Sequence, residues 1–393
     1  MSSSKTYKPT LVVILSRFPY PLEKGDKLRA FYQLQGLSKK YSIHLICTIE
    51  EEVKSDHLKE VKQYCSDIHL FKLNPIVKYI GLLVALFTQK PFQVTYFYQL
   101  GIHRKIKKIL NEVKPDHIYA QLVRTSEYVK NYHDCPKTLD YMDAFSKGIE
   151  RRVQSSKGLM KYILRLEFAR LSVYERQVFE YFENHSIISE QDRSYILHPK
   201  AQSIAIIENG VSSHFFETIE VKKTHDVVFT GNMSYPPNIE AVKYIHEQIK
   251  PLLSEKTTYL ISGINPHRSL LKMKNERFLL SGWVDDIRLS YASSRIFVAP
   301  MFLGTGLQNK LLEAMAMGIP CVTTELANKA LRATPDKEIL IASNPEEFKD
   351  QINKLLFDNT CYENISKAGQ LFVQQAYSWD TMNQKLIDLI EKS

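Results

Sequence analysis

The stretch Ala299–Thr324, APMFLGTGLQNKLLEAMAMGIPCVTT, carries the densest set of residues able to do chemistry. It reads as a short apolar strand, a glycine-containing loop, a helix, a Gly-Ile-Pro stop and a second strand. Gly304 and Gly306 let the backbone approach a ligand closely, and a helix beginning near Gln308 aims its free N–H groups and positive dipole end at the same loop. Such an arrangement binds anions, phosphate first among them. Glu313 lies about five residues into the helix, roughly 7 Å from its start at ~1.5 Å per residue. A carboxylate at that depth accepts hydrogen bonds from sugar hydroxyls while phosphates rest on the helix tip. Taken alone, the stretch also fits a tight strand-to-helix turn with Glu313 on a solvated face.

The elements that would position these residues follow an α/β alternation. TLVVILS (Thr10–Ser16) is β-branched and continuously apolar, the signature of a parallel strand buried on both faces. A turn-rich loop, RFPYPLEKGDK, leads into a helix expected over Lys27–Lys40 with Asp26 as its cap, and a strand at Ile43–Thr48 completes a βαβ unit. The loop therefore lies at the carboxyl edge of the first strand, where open α/β sheets bind ligands. Arg17, Lys27 and Arg29 are candidates there for holding an anion, with Gly25 and Asp26 in the same loop. Ile102, Ile106, Ile109, Leu110 and Val113 form the core-facing stripe of a basic helix. Strands at His117–Gln121 and Lys137–Asp143 put Asp143 and Ser146 at the same carboxyl edge. A long helix over about Gly158–Glu183 has Lys157, Lys161, Arg165 and Arg170 in its early part, interleaved with Tyr162 and Phe168. That mixture suits an anionic membrane surface.

Glu220–Asp226 is charged and nearly free of apolar residues, a natural linker. Beyond it a pattern of strand, glycine, loop and helix repeats, with strands ending at Gly231, Gly263, Gly282 and the Gly304–Gly306 loop. Asn238 and Asp285 or Asp286 are expected as helix caps. Four glycine-tipped strands imply a second sheet with a backbone-lined ligand edge.

At 393 residues the chain exceeds the size of one core, so two domains are expected. Residues 1–195 carry 31 Lys and Arg against 21 Asp and Glu, whereas residues 196–393 carry 21 against 22. The whole excess of positive charge sits in the amino half, which points to an anionic partner there. Five scattered cysteines without a CxxC pair indicate neither disulfides nor a zinc site, and a reducing cytoplasm is the expected compartment. The amino terminus has no signal-peptide core. The longest apolar run, Ile80–Phe87, is eight residues, too short for a bilayer that needs about 20. Nothing suggests nucleic acid as a partner.

ENGV in mid-chain, TGNMSYPPN, SGWVDDIR and GTGLQNKLLEAMAMGIPCV, together with FPYPLEKGDKLRAFYQLQGLSKKY near the start, resemble a family 4 glycosyltransferase of the GT-B type. The resemblance spans nearly the whole chain. It implies two Rossmann-like domains facing across a cleft: residues 1–219 for the acceptor, joined by a crossing-back helix at 377–393, and residues 220–376 for a nucleotide-sugar donor. It further implies transfer with retention, no required cofactor or metal, and a UDP- or GDP-sugar as donor. Glu313 would take the ribose hydroxyls, and Gly304, Thr305, Gly306, Leu307 and Gln308 the diphosphate and sugar. Gly231, Asn232, Asn238, Gly263, Trp283, Val284, Asn309 and Lys310 complete the expected donor site.

Three departures stand out. A second acid, expected eight positions before Glu313, is Thr305. The family's G-R-x4-K cations are replaced by Asn232 and Asn238, so Lys310, with Arg17, is expected to neutralise the leaving group. The amino-domain histidine is replaced by Met142, next to Asp143, which would orient the acceptor hydroxyl. The resemblance points to a hexosyl transfer onto a cell-surface or exopolysaccharide glycan, lipid-linked and reached from the cytoplasm at the inner membrane face. Two other classes compete. A catalytically degenerate relative could serve as the binding partner of an active enzyme. An NAD-dependent oxidoreductase would use Gly304-x-Gly306 with Glu325, but its third glycine is Asn309.

Overall fold

The computed structural model describes residues 8–302 and 307–392, apart from the side chain of Ser155. Gly304, Thr305 and Gly306 therefore lie outside the described residues. The chain forms two compact units, one running to Asn209 and resuming at Met382, the other Gly210–Thr381. The division falls before the charged stretch at 220–226 because the chain from Gly210 already packs on the second unit. The Val211 amide donates to the Tyr377 carbonyl at 2.7 Å.

The first unit is a seven-stranded parallel sheet: β1 (Thr10–Leu15), β2 (Ser42–Ile49), β3 (Asp67–Lys72), β4 (His117–Gln121), β5 (Lys137–Asp140), β6 (Asn184–Ile187) and β7 (Ala205–Ile206). Its order, β3-β2-β1-β4-β5-β6-β7, reverses direction between β1 and β4. The helix Leu100–Val113 buries Ile102, Ile106 and Leu110 against a core containing Val12, Ile14 and Ile118. The end of the chain closes this unit: the Asn383 side chain donates to the Tyr32 carbonyl at 3.0 Å, and Asn184 donates to the Leu389 carbonyl at 2.8 Å.

Several local expectations differ. The first helix is Gly25–Leu37, with Lys24 at its cap position, and Asp26 pairs with Arg17 instead of capping. A helix at Phe145–Ser155 precedes the long one, which spans Gly158–Val178 and ends in a short 3-10 turn. Leu159, apolar in the first turn of the long helix, is not buried: it is 75% exposed. Arg170 is not a surface cation either. It is buried, and its guanidinium donates to the carbonyl oxygens of Ala85 at 2.6 Å and Leu86 at 3.4 Å, capping the end of the helix Pro75–Leu86.

The second unit is a six-stranded parallel sheet: β8 (His225–Thr230), β9 (Tyr259–Ser262), β10 (Phe278–Gly282), β11 (Ser294–Ala299), β12 (Cys321–Thr323) and β13 (Leu340–Ile341). The order is β10-β9-β8-β11-β12-β13, with the reversal between β8 and β11. The helix Asn309–Ala316 follows β11 and buries Leu311, Leu312, Ala314 and Met315 on the sheet. Strand ends pack tightly at the carboxyl edge. A Cβ on Gly263 would lie 1.6 Å from the Gly231 carbonyl oxygen, and both glycines hold φ +152°. Only glycine lets these two turns approach so closely.

Candidate active site

In the second unit a cavity of about 530 Å³ opens at the carboxyl edge where the strand order reverses. Thr230, Gly231, Asn232, Asn238, Gly263, Ile264, Trp283, Val284, Asp285, Ile287, Leu307, Asn309, Lys310 and Glu313 line it. Motifs from four separate strand ends thus converge on one pocket, the position where doubly wound sheets bind ligands. Gln308 occupies the cap position of the helix Asn309–Ala316, which begins at the pocket wall.

The polar floor is a connected network. Tyr291, buried, donates from its hydroxyl to the Glu313 carboxylate at 2.8 Å and shares a 2.7 Å hydrogen bond with Thr230. Burial pushes the Glu313 carboxyl up to about 7, against the opposing pull of the Tyr291 hydrogen bond and the Lys310 charge. The Lys310 ammonium donates to Asn238 Oδ1 and lies 4.9 Å from the centre of the Phe229 ring. Burial brings its pKa down to about 8, with Glu313 opposing. Asn238 is not the expected helix cap. It lies inside the helix Pro236–Tyr244, which opens on prolines, and it donates to the Asn232 carbonyl at 2.9 Å. Trp283 forms an exposed apolar wall, its indole N–H donating to Asp285, while Asp286 is the helix cap in that motif. Tyr291 had no motif to mark it; its role depends on the fold bringing it to Glu313.

The amino unit presents a different set at its own carboxyl edge. Arg17 pairs with Asp26 at 2.8 Å. Gly25 is set against the Met142 side chain, where a Cβ would stand 3.2 Å from Met142 Cε, and Lys27 is half-buried in the first helical turn. Asp143 reaches solvent, yet protein crowds its carboxyl group. Burial and the Asp192 charge raise it to about 6, opposed by Arg124. Ser146 is buried and bonded to Glu175 through both its hydroxyl and its amide.

Arg29 is unavailable to any ligand. Its guanidinium is fully buried and forks onto Asp140 at 2.7 and 3.2 Å, and its remaining donors reach the Glu208 carbonyl and Asn209 Oδ1. Burial raises the Asp140 pKa, but the Arg29 charge and hydrogen bonds from Arg29, Tyr119 and Ser186 outweigh it, so the net shift is downward. Glu208 and Asn209 of the ENGV motif thereby anchor the end of the first unit.

Among the described residues, His44, Asp67 and His69 bring metal-capable atoms within 4.8 Å of one another. They lie near the amino ends of β2 and β3, at the opposite edge of the sheet from Arg17 and Asp143. No helix among the described residues is long and apolar enough to cross a membrane.

Two parallel-sheet Rossmann-like units, each with a carboxyl-edge switch point, define the GT-B glycosyltransferase fold. Residues 224–358, which include most of the pocket, match the family model described as Glycosyl transferases group 1. Among solved structures, Anabaena Alr3699/HepE in complex with UDP is similar with a TM-score of 0.65 and 14% identity, over 98% of this chain and 100% of that one. Sucrose-phosphate synthase from Thermosynechococcus elongatus is similar at 0.64 and 12%, over 98% of each chain. In sequence, an uncharacterized 44.6 kDa protein in the cps region of Klebsiella pneumoniae is 20% identical over 390 residues, covering 93% of this chain and 96% of the relative.

Proposed function

We propose that the chain is a retaining glycosyltransferase of family 4 that moves a hexosyl group from a nucleotide diphosphate sugar to a cell-surface or exopolysaccharide glycan carried on a lipid. The observation that carries this reading is the pocket itself. A carboxylate, Glu313, and an ammonium, Lys310, stand on the first turns of one helix against the backbone of Gly231 and Gly263. The carboxylate accepts from ribose hydroxyls, the helix start and Lys310 hold the diphosphate, and Trp283 with Val284 and Leu307 covers the base. UDP is the favoured nucleotide, since the Anabaena neighbour is known in complexes with UDP and with UDP-glucose.

In this reading the bond from the anomeric carbon to the phosphate oxygen breaks, and the acceptor hydroxyl adds on the same face. Its proton passes to the departing phosphate, so no protein nucleophile is needed. The protein positions the partners and stabilises charge on the leaving diphosphate. Lys310 supplies that charge in place of the absent pair of cations, with Arg17 as a further cation, and Asp143 orients the acceptor hydroxyl.

The membrane part of the reading rests on the amino unit. Its excess charge is joined by an exposed apolar helix, Pro75–Leu86, on which Ile76, Tyr79, Ile80, Leu83 and Val84 all face solvent, followed by Phe87 at 89% exposure. Leu159, Met160 and Tyr162 add to the exposed apolar surface at the start of the helix Gly158–Val178. A run of this kind suits interfacial docking from the cytoplasmic side. Calorimetric titration with UDP, GDP, ADP and dTDP tests the core of the proposal. Saturable 1:1 binding of one nucleotide is expected, and binding of none would remove it.

A further inference from the structure

The amino unit has a switch point of its own, between β1 and β4, and two arginines stand at it. Arg17 lies two positions beyond the end of β1, and Arg124 three positions beyond the end of β4, in the 3-10 turn Val123–Tyr128. The Arg124 guanidinium carbon is 4.8 Å from the centre of the Phe97 ring and 4.7 Å from that of Phe145, so two aromatic faces fix it. Arg17 shares the Phe97 ring at 5.8 Å.

The rings hold Arg124, but two of its donors are left over. Its Nε and Nη1 are buried, and neither has a hydrogen-bond partner among the described residues. Of the three carboxylates whose charge reaches it, Asp26 is paired with Arg17, and Glu50 with Lys78 at 2.8 Å and with the Tyr96 hydroxyl; Asp143 offsets part of the charge without a hydrogen bond to the guanidinium. A guanidinium is a planar fork built for oxyanions, and leaving its donors buried and unpaired is costly. Burial, reinforced by the Arg17 charge, lowers the Arg124 pKa to about 10. The backbone around it is also strained. Leu122 at the end of β4 and Met142 beyond β5 hold φ of 67° and 65°, a region that residues with side chains enter at a cost and that recurs at ligand sites.

We propose that Arg124 is the binding site for an oxyanion on the acceptor: the carboxylate of an acidic sugar or the phosphate of a lipid-linked glycan. This rests on the acceptor reading of the amino unit given above. The anion completes the guanidinium fork at the carboxyl-edge switch point, the part of an open α/β sheet where ligands generally bind.

The test is calorimetric titration of the full chain with D-glucuronate and, separately, with inorganic phosphate, with D-glucose as the neutral control. Each titration is run with and without saturating UDP. One oxyanion is expected to bind 1:1 and glucose not to bind; which one binds identifies the source of the anion. UDP is expected to leave that affinity unchanged. Arg124→Gln is expected to weaken oxyanion binding by about tenfold or more, to leave UDP affinity intact, and to raise Tm, because it removes an unpaired buried charge.

Binding of neither oxyanion by a chain that binds UDP would overturn this inference alone and spare the donor site. Displacement by UDP would assign Arg124 to the donor phosphates. Full binding by Arg124→Gln, or a lowered Tm, would make Arg124 a structural cation held by its rings. Arg124→Lys keeps the charge and loses the fork, so it should bind with intermediate affinity. It decides the matter if the glutamine variant does not fold, and wild-type affinity in it would count against the proposal.

Discussion

The Lys310 ammonium donates a hydrogen bond to Oδ1 of Asn238, 72 positions earlier in the chain. Asn238 stands near the position where the family resemblance expects a lysine, and the ammonium there comes instead from the helix beginning at Asn309. Lys310→Ala removes the cation that lines the pocket among the described residues. With a charge-assisted hydrogen bond worth ~1.5 to 3 kcal/mol, turnover should fall by about 10- to 150-fold. Steady-state kinetics with the nucleotide sugar that binds would show this, and turnover within a factor of about two would take Lys310 out of the reaction.

Nucleotide affinity should depend on pH in a narrow bell. Glu313, raised to about 7, accepts from hydroxyls best when ionised, and Lys310, lowered to about 8, holds phosphate only when charged. Affinity for UDP should therefore be greatest between these values and fall on both sides. Glu313→Gln should bind more weakly and lose the acid limb, and calorimetry from about pH 6 to pH 9 would reveal either limb missing.

Glu313 also makes a stability prediction. Its folded pKa lies above the ordinary carboxyl value of 4.5, so the folded state holds its proton longer than the unfolded one. Its contribution is present below the unfolded value and is lost as pH rises from 4.5 through about 7. Thermal melts of Glu313→Gln should run above wild type at pH 8 and converge with it near pH 4.5. A constant difference across that window would contradict the buried setting of the carboxyl group.

Gly263→Ala should be among the most damaging single changes in the chain. Its Cβ would stand 1.6 Å from the Gly231 carbonyl oxygen, backbone that cannot yield without pulling β8 from β9. A cost of at least about 4 kcal/mol corresponds to a fall in Tm on the order of 10 °C. Differential scanning fluorimetry would measure it, and a loss of only a degree or two would mean the two turns can separate.

Flotation with liposomes addresses the membrane reading. Recovery should be high with anionic vesicles and low with neutral ones, each Lys or Arg near the headgroups contributing about 1 kcal/mol. Ile80→Glu combined with Leu83→Glu, on the exposed helix Pro75–Leu86, should abolish it while UDP binding is retained. Equal recovery with both lipids would exclude electrostatic docking.

The sequence by itself carried the two sheets, because buried parallel strands must be continuously apolar and the turns between them must hold glycine. TLVVIL and HLIC, or Gly231 and Gly263, announce themselves within a few residues. It also carried the pocket residues around Lys310 and Glu313, since they stand on short motifs at strand ends. The tertiary structure alone decided which polar groups remain open to a ligand. Arg17, Arg29, Arg124 and Arg170 look alike as letters. Yet Arg29 is consumed by Asp140, 111 positions away, and Arg170 by the carbonyls of Ala85 and Leu86, while the buried Nε and Nη1 of Arg124 have no hydrogen-bond partner among the described residues. Charge pairing acts over a few ångströms of space and across any distance in the chain, so only the folded arrangement separates a spent cation from an available one.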